Sequence, residues 1–216
     1  MRFAAIIYDF DGVIADSEAL GNRVLAEYVS DLGMPMTMEL AIARYMGRRW
    51  PDAMAMIELD LGSKLPDDFS EGLQRAILER FSTDLCEVPG ATAFIRRFDL
   101  PRCIASSSSI DRLTLCIEKL AIAEHFAGAV FSADMVPRGK PHPDIFLHAA
   151  RKLGVEAARC LVVEDSPSGI KAAKAAGMTA IGLMAGSHIG VGHRERLREA
   201  GADHIAESWD AVARLL

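Results

Sequence analysis

Continuous apolar runs of strand length recur along this chain with amphipathic stretches between them. That alternation restricts the possible fold more than any other feature. The runs are Phe3–Tyr8, Cys103–Ser106, Ala129–Ser132, Cys160–Glu164 and Thr179–Met184. A strand with one wet face alternates apolar and polar residues. An unbroken apolar run needs both faces covered, as in a parallel sheet packed between helices. The intervening stretches read as those helices. After Glu164 and Asp165, Ser166 can cap a helix, Pro167 suits its first position and Gly177 can end it. Ile110–Leu120 carries Leu113, Ile117 and Leu120 on one face, and Pro143–Leu153 reads as another helix. The expectation is an α/β fold, a parallel sheet with helices on both faces.

Residues 17–85 break the rhythm. They hold no strand-like run, while Leu20, Val24 and Tyr28, and again Leu73, Ile77 and Phe81, recur at helical spacing. Six of the ten methionines fall here, at 34, 36, 38, 46, 54 and 56. The pattern predicts an all-helical insertion after the first strand, its methionines packing a small core or lining an adaptable cleft. The expected domains are a core of residues 1–15 and 86–216 and a helical domain of residues 16–85, a fair division of 216 residues. A formal charge of −6 argues against nucleic acid or an anionic membrane as partner. No apolar stretch reaches the roughly 18 residues of a membrane span, and Asp9 and Asp11 interrupt the apolar start, unlike a signal peptide. The four cysteines form no C-x-x-C pair, and Cys103 and Cys160 lie in apolar runs. They read as buried reduced thiols in a cytoplasmic protein.

Ligands of open parallel sheets bind beyond the carboxyl ends of the strands, so the residues following each run carry the chemistry. Those are Asp9, Asp11 and Gly12; Ser106–Ser109; Gly139, Lys140 and Pro141; and Glu164 with Asp165. On extended chain Asp9 and Asp11 face one side, about 6.6 Å apart. Alone such a pair signifies little, since acids also open loops and cap helices. If both acid pairs converge, their repulsion calls for a cation, and dense oxygen ligands suit Mg²⁺. Lys140 and the serines supply positive charge and donors for a phosphate. Together they compose a phosphoryl-transfer site with a carboxylate nucleophile.

Asp9-Phe10-Asp11-Gly12-Val13-Ile14, then Ser106, then Gly139-Lys140-Pro141, then Val163-Glu164-Asp165-Ser166 match in order the four motifs of the haloacid dehalogenase-like hydrolase superfamily, over essentially the whole chain. Asp16–Glu18 and Gly139–Phe146 resemble the branch of beta-phosphoglucomutase and the sugar-phosphate phosphatases. The resemblance implies a Rossmann-like core with a small helical cap inserted after the first strand. It makes Asp9 the nucleophile that forms an aspartyl-phosphate, and Asp11 the acid and then the base. Ser106, Ser107 and Lys140 would hold the phosphoryl group. Asp9, Asp11 (through its carbonyl), Glu164 and Asp165 would hold Mg²⁺, Glu164 directly or through water.

Two positions narrow the activity. True dehalogenases of the superfamily lack the second acid, which is present here as Asp11. The mutases carry a cap histidine where this chain has Gly21, which favours hydrolysis over phosphoryl return. The resemblance therefore implies a Mg²⁺-dependent phosphatase of a small phosphorylated metabolite, a sugar or sugar-acid phosphate, acting as a monomer. A phosphomutase is the alternative. A phospho-receiver or non-catalytic binding protein is the rival of another class. Glu18, Arg48 and Arg49 are candidates for substrate contact from the cap, or a solvated acid and basic pair. His188 and His193 lie in a glycine-rich stretch without metal-ligand spacing.

Overall fold

A computed structural model of the chain describes residues 3–46, 48 and 50–216. The chain divides into two compact units, Met1–Asp16 with Cys86–Leu216, and Ser17–Leu85. Asp16 goes with the first unit: its N–H donates to the Cys86 carbonyl, and its carboxylate accepts from the Ser187 N–H.

In the first unit, strand β1 (Ala5–Tyr8) precedes the crossing into the second. That second unit contains helices α1 (Ser17–Asp31), α2 (Met38–Tyr45), α3 (Trp50–Leu61) and α4 (Phe69–Asp84). Its core joins Val24, Leu25, Val29, Tyr45, Ile57, Phe69 and Leu73, with Met34, Met36 and Met56 packed against it. Those three methionines are partly buried against the helical core, a place that suits flexible thioethers.

The chain then returns through α5 (Ala91–Arg97), β2 (Arg102–Ser106), α6 (Ile110–Lys119) and β3 (Val130–Ser132). It continues through α7 (Asp144–Leu153), β4 (Cys160–Glu164), α8 (Pro167–Ala175) and β5 (Thr179–Leu183), and ends with α9 (His193–Glu199), β6 (His204–Ala206) and α10 (Trp209–Ala213). Among the described residues the strands form one parallel sheet in the order β3-β2-β1-β4-β5-β6. The expected α/β architecture is therefore present. Strand β6 escapes the apolar-run criterion because it is a three-residue edge strand, only partly buried.

Both sheet faces are covered, which is why the strands read as unbroken apolar runs. Ala5, Ile7, Cys103, Ala105, Cys160 and Val162 share one core with Ile145, Phe146 and Ala149 of α7 and Ile170 and Ala173 of α8. Tyr8 points to the other face, among Phe94 of α5, Phe126 and Trp209 of α10, with ring centroids 5.8–6.3 Å apart. The Trp209 indole also donates to the Val13 carbonyl at 3.3 Å, tying α10 to the loop after β1. Among the described residues, no helix is long and apolar enough to cross a membrane.

Candidate active site

The strand order reverses at β1, with β2 on one side and β4 on the other, and ligand sites of open α/β sheets form at such a crevice. Register then decides which side chains meet. Tyr8 is level with Val163, and the Asp9 N–H donates to the Val163 carbonyl, so Asp9 emerges beside Glu164. Tyr8 is also level with Ile104, which brings the end of β2 and Ser106 to the other flank.

Carboxylate oxygens of Asp9, Glu164 and Asp165 lie within 4.8 Å of one another, all three residues buried. Lys140 Nζ stands among them, 2.9 Å from Asp9 Oδ1 and 2.7 Å from Glu164 Oε1. The second Glu164 oxygen accepts from the Ser166 N–H at 2.6 Å, at the start of α8. Burial alone would raise the Glu164 pKa, but the Lys140 ammonium and these hydrogen bonds outweigh it and hold the group below its ordinary value. Asp9 is pushed well above the usual carboxylate range, by burial first and then by the charge of Glu164. Burial alone would lower Lys140, yet the charges of Asp9 and Glu164 keep it above its ordinary value.

One ammonium among three buried carboxylates leaves negative charge in excess. A small divalent cation would remove it, and an all-oxygen donor set suits Mg²⁺. The residues present thus fit such an ion.

Two glycines make room for the acids. Gly12 has φ +75°, and a Cβ there would overlap the Asp165 carboxylate, so both backbone and space require glycine. A Cβ on Gly169, in the first turn of α8, would overlap the Glu164 carboxylate.

Asp11 faces a different set of groups. Ser108 Oγ donates to its Oδ2 at 2.6 Å, with Ser106 Oγ at 3.4 Å, and Arg112 Nη2 lies 2.5 Å from Oδ1. Ser107 is exposed, and Ser108 rather than Ser107 reaches Asp11. Arg112 escaped the sequence reading, though a trace of it was visible. Ser109 caps α6 by accepting from the Arg112 N–H, which places an arginine in the first turn, where the helix dipole disfavours positive charge. A basic residue held there against the dipole invites a search for an anionic partner.

The sequence offers His188 without metal-ligand spacing, yet the structure brings it to Asp165. His188 follows β5 on the same sheet edge, one of the strand ends not counted among the candidates. Its Nε2 lies 2.9 Å from Asp165 Oδ2.

Glu18 and Arg48 belong to the helical unit. The Glu18 carbonyl accepts from Asn22 Nδ2 at 2.8 Å within α1. Arg48 is exposed, and its Nε donates to the Arg44 carbonyl at the end of α2, satisfying one of the open carbonyls of that terminus. Arg49 lies outside the described residues.

Residues 3–177 match the haloacid dehalogenase-like hydrolase family. A 6-phosphogluconate phosphatase of Escherichia coli (strain K12) is 27% identical over 188 residues, covering 87% of this chain and 85% of that protein. Hexitol phosphatase B of the same organism is 30% identical over 190 residues, covering 83% of each. Among solved structures, a conserved haloacid dehalogenase-like protein of unknown function from Agrobacterium tumefaciens superposes with a TM-score of 0.90 at 33% identity, covering 99% of this chain and 97% of that one.

Proposed function

Because the chain belongs to the haloacid dehalogenase-like hydrolase family, we propose that it is a Mg²⁺-dependent phosphatase of a small phosphorylated metabolite, a sugar or sugar-acid phosphate. The carrying observation is the buried contact of Lys140 with Asp9 and Glu164 beside Asp165, with Asp11 two residues from Asp9. The relatives named for 6-phosphogluconate and hexitol phosphates support the substrate class.

In this reading an Asp9 carboxylate oxygen attacks the phosphorus, and the bond from phosphorus to the substrate oxygen breaks. Asp11, protonated, gives its proton to the departing alkoxide, completing the alcohol product and leaving an aspartyl-phosphate on Asp9. Asp11, now ionised, takes a proton from water as that water attacks the phosphorus. Phosphate leaves and Asp9 is restored. Lys140 and Ser106 offer donors to the phosphoryl oxygens, where charge builds in the transition state. Asp9, Glu164, Asp165 and the Asp11 carbonyl would hold Mg²⁺. When bound, it screens the carboxylates and draws charge from the phosphoryl group. The helical unit acts as the cap, the enzyme is cytoplasmic and monomeric, and Arg48, Arg49 and Glu18 remain its candidate substrate contacts.

Phosphate release over a panel of sugar, polyol and sugar-acid phosphates, with Mg²⁺ and with chelator, tests the reading. Turnover should require Mg²⁺ and vanish in Asp9→Asn, which keeps the size but loses the anionic nucleophile. Full activity in excess chelator, or robust turnover of Asp9→Asn, would refute it. Hydrolysis is preferred to phosphoryl return because Gly21 has no side chain to position a sugar intermediate. Beta-glucose 1-phosphate, if accepted, should yield glucose and phosphate, without stimulation of glucose 6-phosphate formation by a bisphosphate.

A further inference from the structure

The strongest feature the mechanism leaves unused is a pair of buried histidines that grip Asp165 from two directions. His188 Nε2 stands 2.9 Å from Asp165 Oδ2, with both side chains under a tenth exposed. His193 Nε2 stands 2.6 Å from the Asp165 main-chain oxygen. A carbonyl only accepts, so His193 Nε2 is the donor. Its Nδ1 lies 2.9 Å from Arg196 Nη2, which only donates, so Nδ1 is the acceptor. Those two bonds require one neutral tautomer of His193. The two imidazoles meet edge to face with centroids 6.2 Å apart, so each braces the other.

The chain also clears space for the His188 ring. A Cβ on Gly186 would fall 2.7 Å from His188 Cε1 and 2.8 Å from its Nδ1. A Cβ on Gly12 would fall 2.7 Å from His188 Cε1, besides overlapping the Asp165 carboxylate. Glycines on two separate loops thus frame the ring that touches Asp165. A histidine that merely filled the core would need no carboxylate at its Nε2, and a solvated one would need no cradle.

We propose that His188 is a positioning residue that fixes the Asp165 carboxylate for cation binding, with His193 holding the same residue by its backbone. The proposal rests on the reading of Asp165 as a Mg²⁺ ligand. An unanchored carboxylate would have to give up rotamer freedom when it met the ion, whereas one anchored by a donor on one oxygen has already lost it. Hydrogen-bond partners of metal ligands typically contribute about 10- to 100-fold in affinity.

The experiment is calorimetric titration of the full-length protein with MgCl₂ alone, without substrate, for wild type, His188→Leu, His188→Gln, Gly186→Ala and Asp165→Asn. Melting in chelator establishes that each variant is folded. His188→Leu keeps an apolar filler without the donor and should weaken Mg²⁺ binding by about 10- to 100-fold. His188→Gln carries an amide N–H that can replace Nε2 and should recover most of the loss. Gly186→Ala keeps the histidine but pushes its ring aside, so it should weaken binding like His188→Leu. It decides the matter if His188→Leu does not fold. Wild-type affinity in His188→Leu or Gly186→Ala, with binding lost in Asp165→Asn, overturns the positioning role alone. Wild-type affinity in Asp165→Asn overturns the metal reading beneath it.

Discussion

Lys140 Nζ lies 2.7 Å from Glu164 Oε1, with the lysine side chain 4% exposed and the glutamate wholly enclosed. A buried ion pair of this kind adds little net stability when intact, because desolvation offsets attraction. Removing one partner strands the other charge. Lys140→Ala leaves Glu164 and Asp9 facing each other without their cation. The metal-free protein should lose about 3–5 kcal/mol, read as a lower midpoint in urea. Turnover should fall by about 10²–10³-fold in kcat, as expected for losing a donor aimed at transition-state charge. A change of only a few-fold in KM would remove Lys140 from that role.

Gly169→Ala offers a test by sign. At an exposed helical glycine this change gains up to about 1 kcal/mol. Here the new methyl must displace the Glu164 carboxylate from Lys140 and the Ser166 N–H. The expected result is a loss of about 1–3 kcal/mol, with turnover reduced in parallel. A stabilised, fully active variant would mean that Glu164 does not occupy that space.

Arg112 and Ser108 hold opposite oxygens of Asp11. Arg112→Met removes the guanidinium while keeping much of the side-chain length, and frees the carboxylate to rotate. Since a misplacement near 1 Å can cost about 10²-fold, kcat should fall by up to that factor, with KM for a neutral sugar phosphate little changed. Steady-state kinetics on the preferred substrate of the phosphate-release panel check this. An unchanged kcat would show that Arg112 does not position Asp11.

Asp203, outside the site, contributes to the pH dependence of stability. Asp203 accepts from Lys174 Nζ at 2.7 Å and from the Ala180 N–H at 2.8 Å. Burial would raise its pKa, but these bonds outweigh it and lower the group below its ordinary value. A carboxyl with a lowered folded pKa contributes stability above its unfolded value and loses it as pH falls through the folded one. Asp203→Asn, the neutral isostere, should therefore be less stable than wild type at pH 7 by about 1 kcal/mol, a figure discounted for the partial exposure of the pair. The gap between the two urea midpoints should close as the pH drops below the ordinary carboxylate range. A gap that stays constant into acid would mean the charge on Asp203 plays no part.

Several elements were determined by the sequence alone, because their causes are local. Apolar runs with both faces covered specify parallel strands, and Ser166, Pro167 and Gly177 bracket α8, which runs from Pro167 to Ala175 and is followed by a left-handed Gly177. The order of the acid, serine, lysine and acid segments was equally readable, since residues beyond parallel strand ends share one edge whatever the strand order. The tertiary structure decided which of those residues meet. Strand β4 lies beside β1, although more than 140 residues separate Asp9 from Glu164, and only that pairing and its register bring Lys140 between them. The arrival of Ser108 and Arg112 at Asp11 depends on how the turn after β2 enters α6. The grip of His188 on Asp165 depends on a loop after β5 folding back over two glycines. Local propensity carries no record of such contacts, because they are set by strand pairing and side-chain packing between segments distant along the chain.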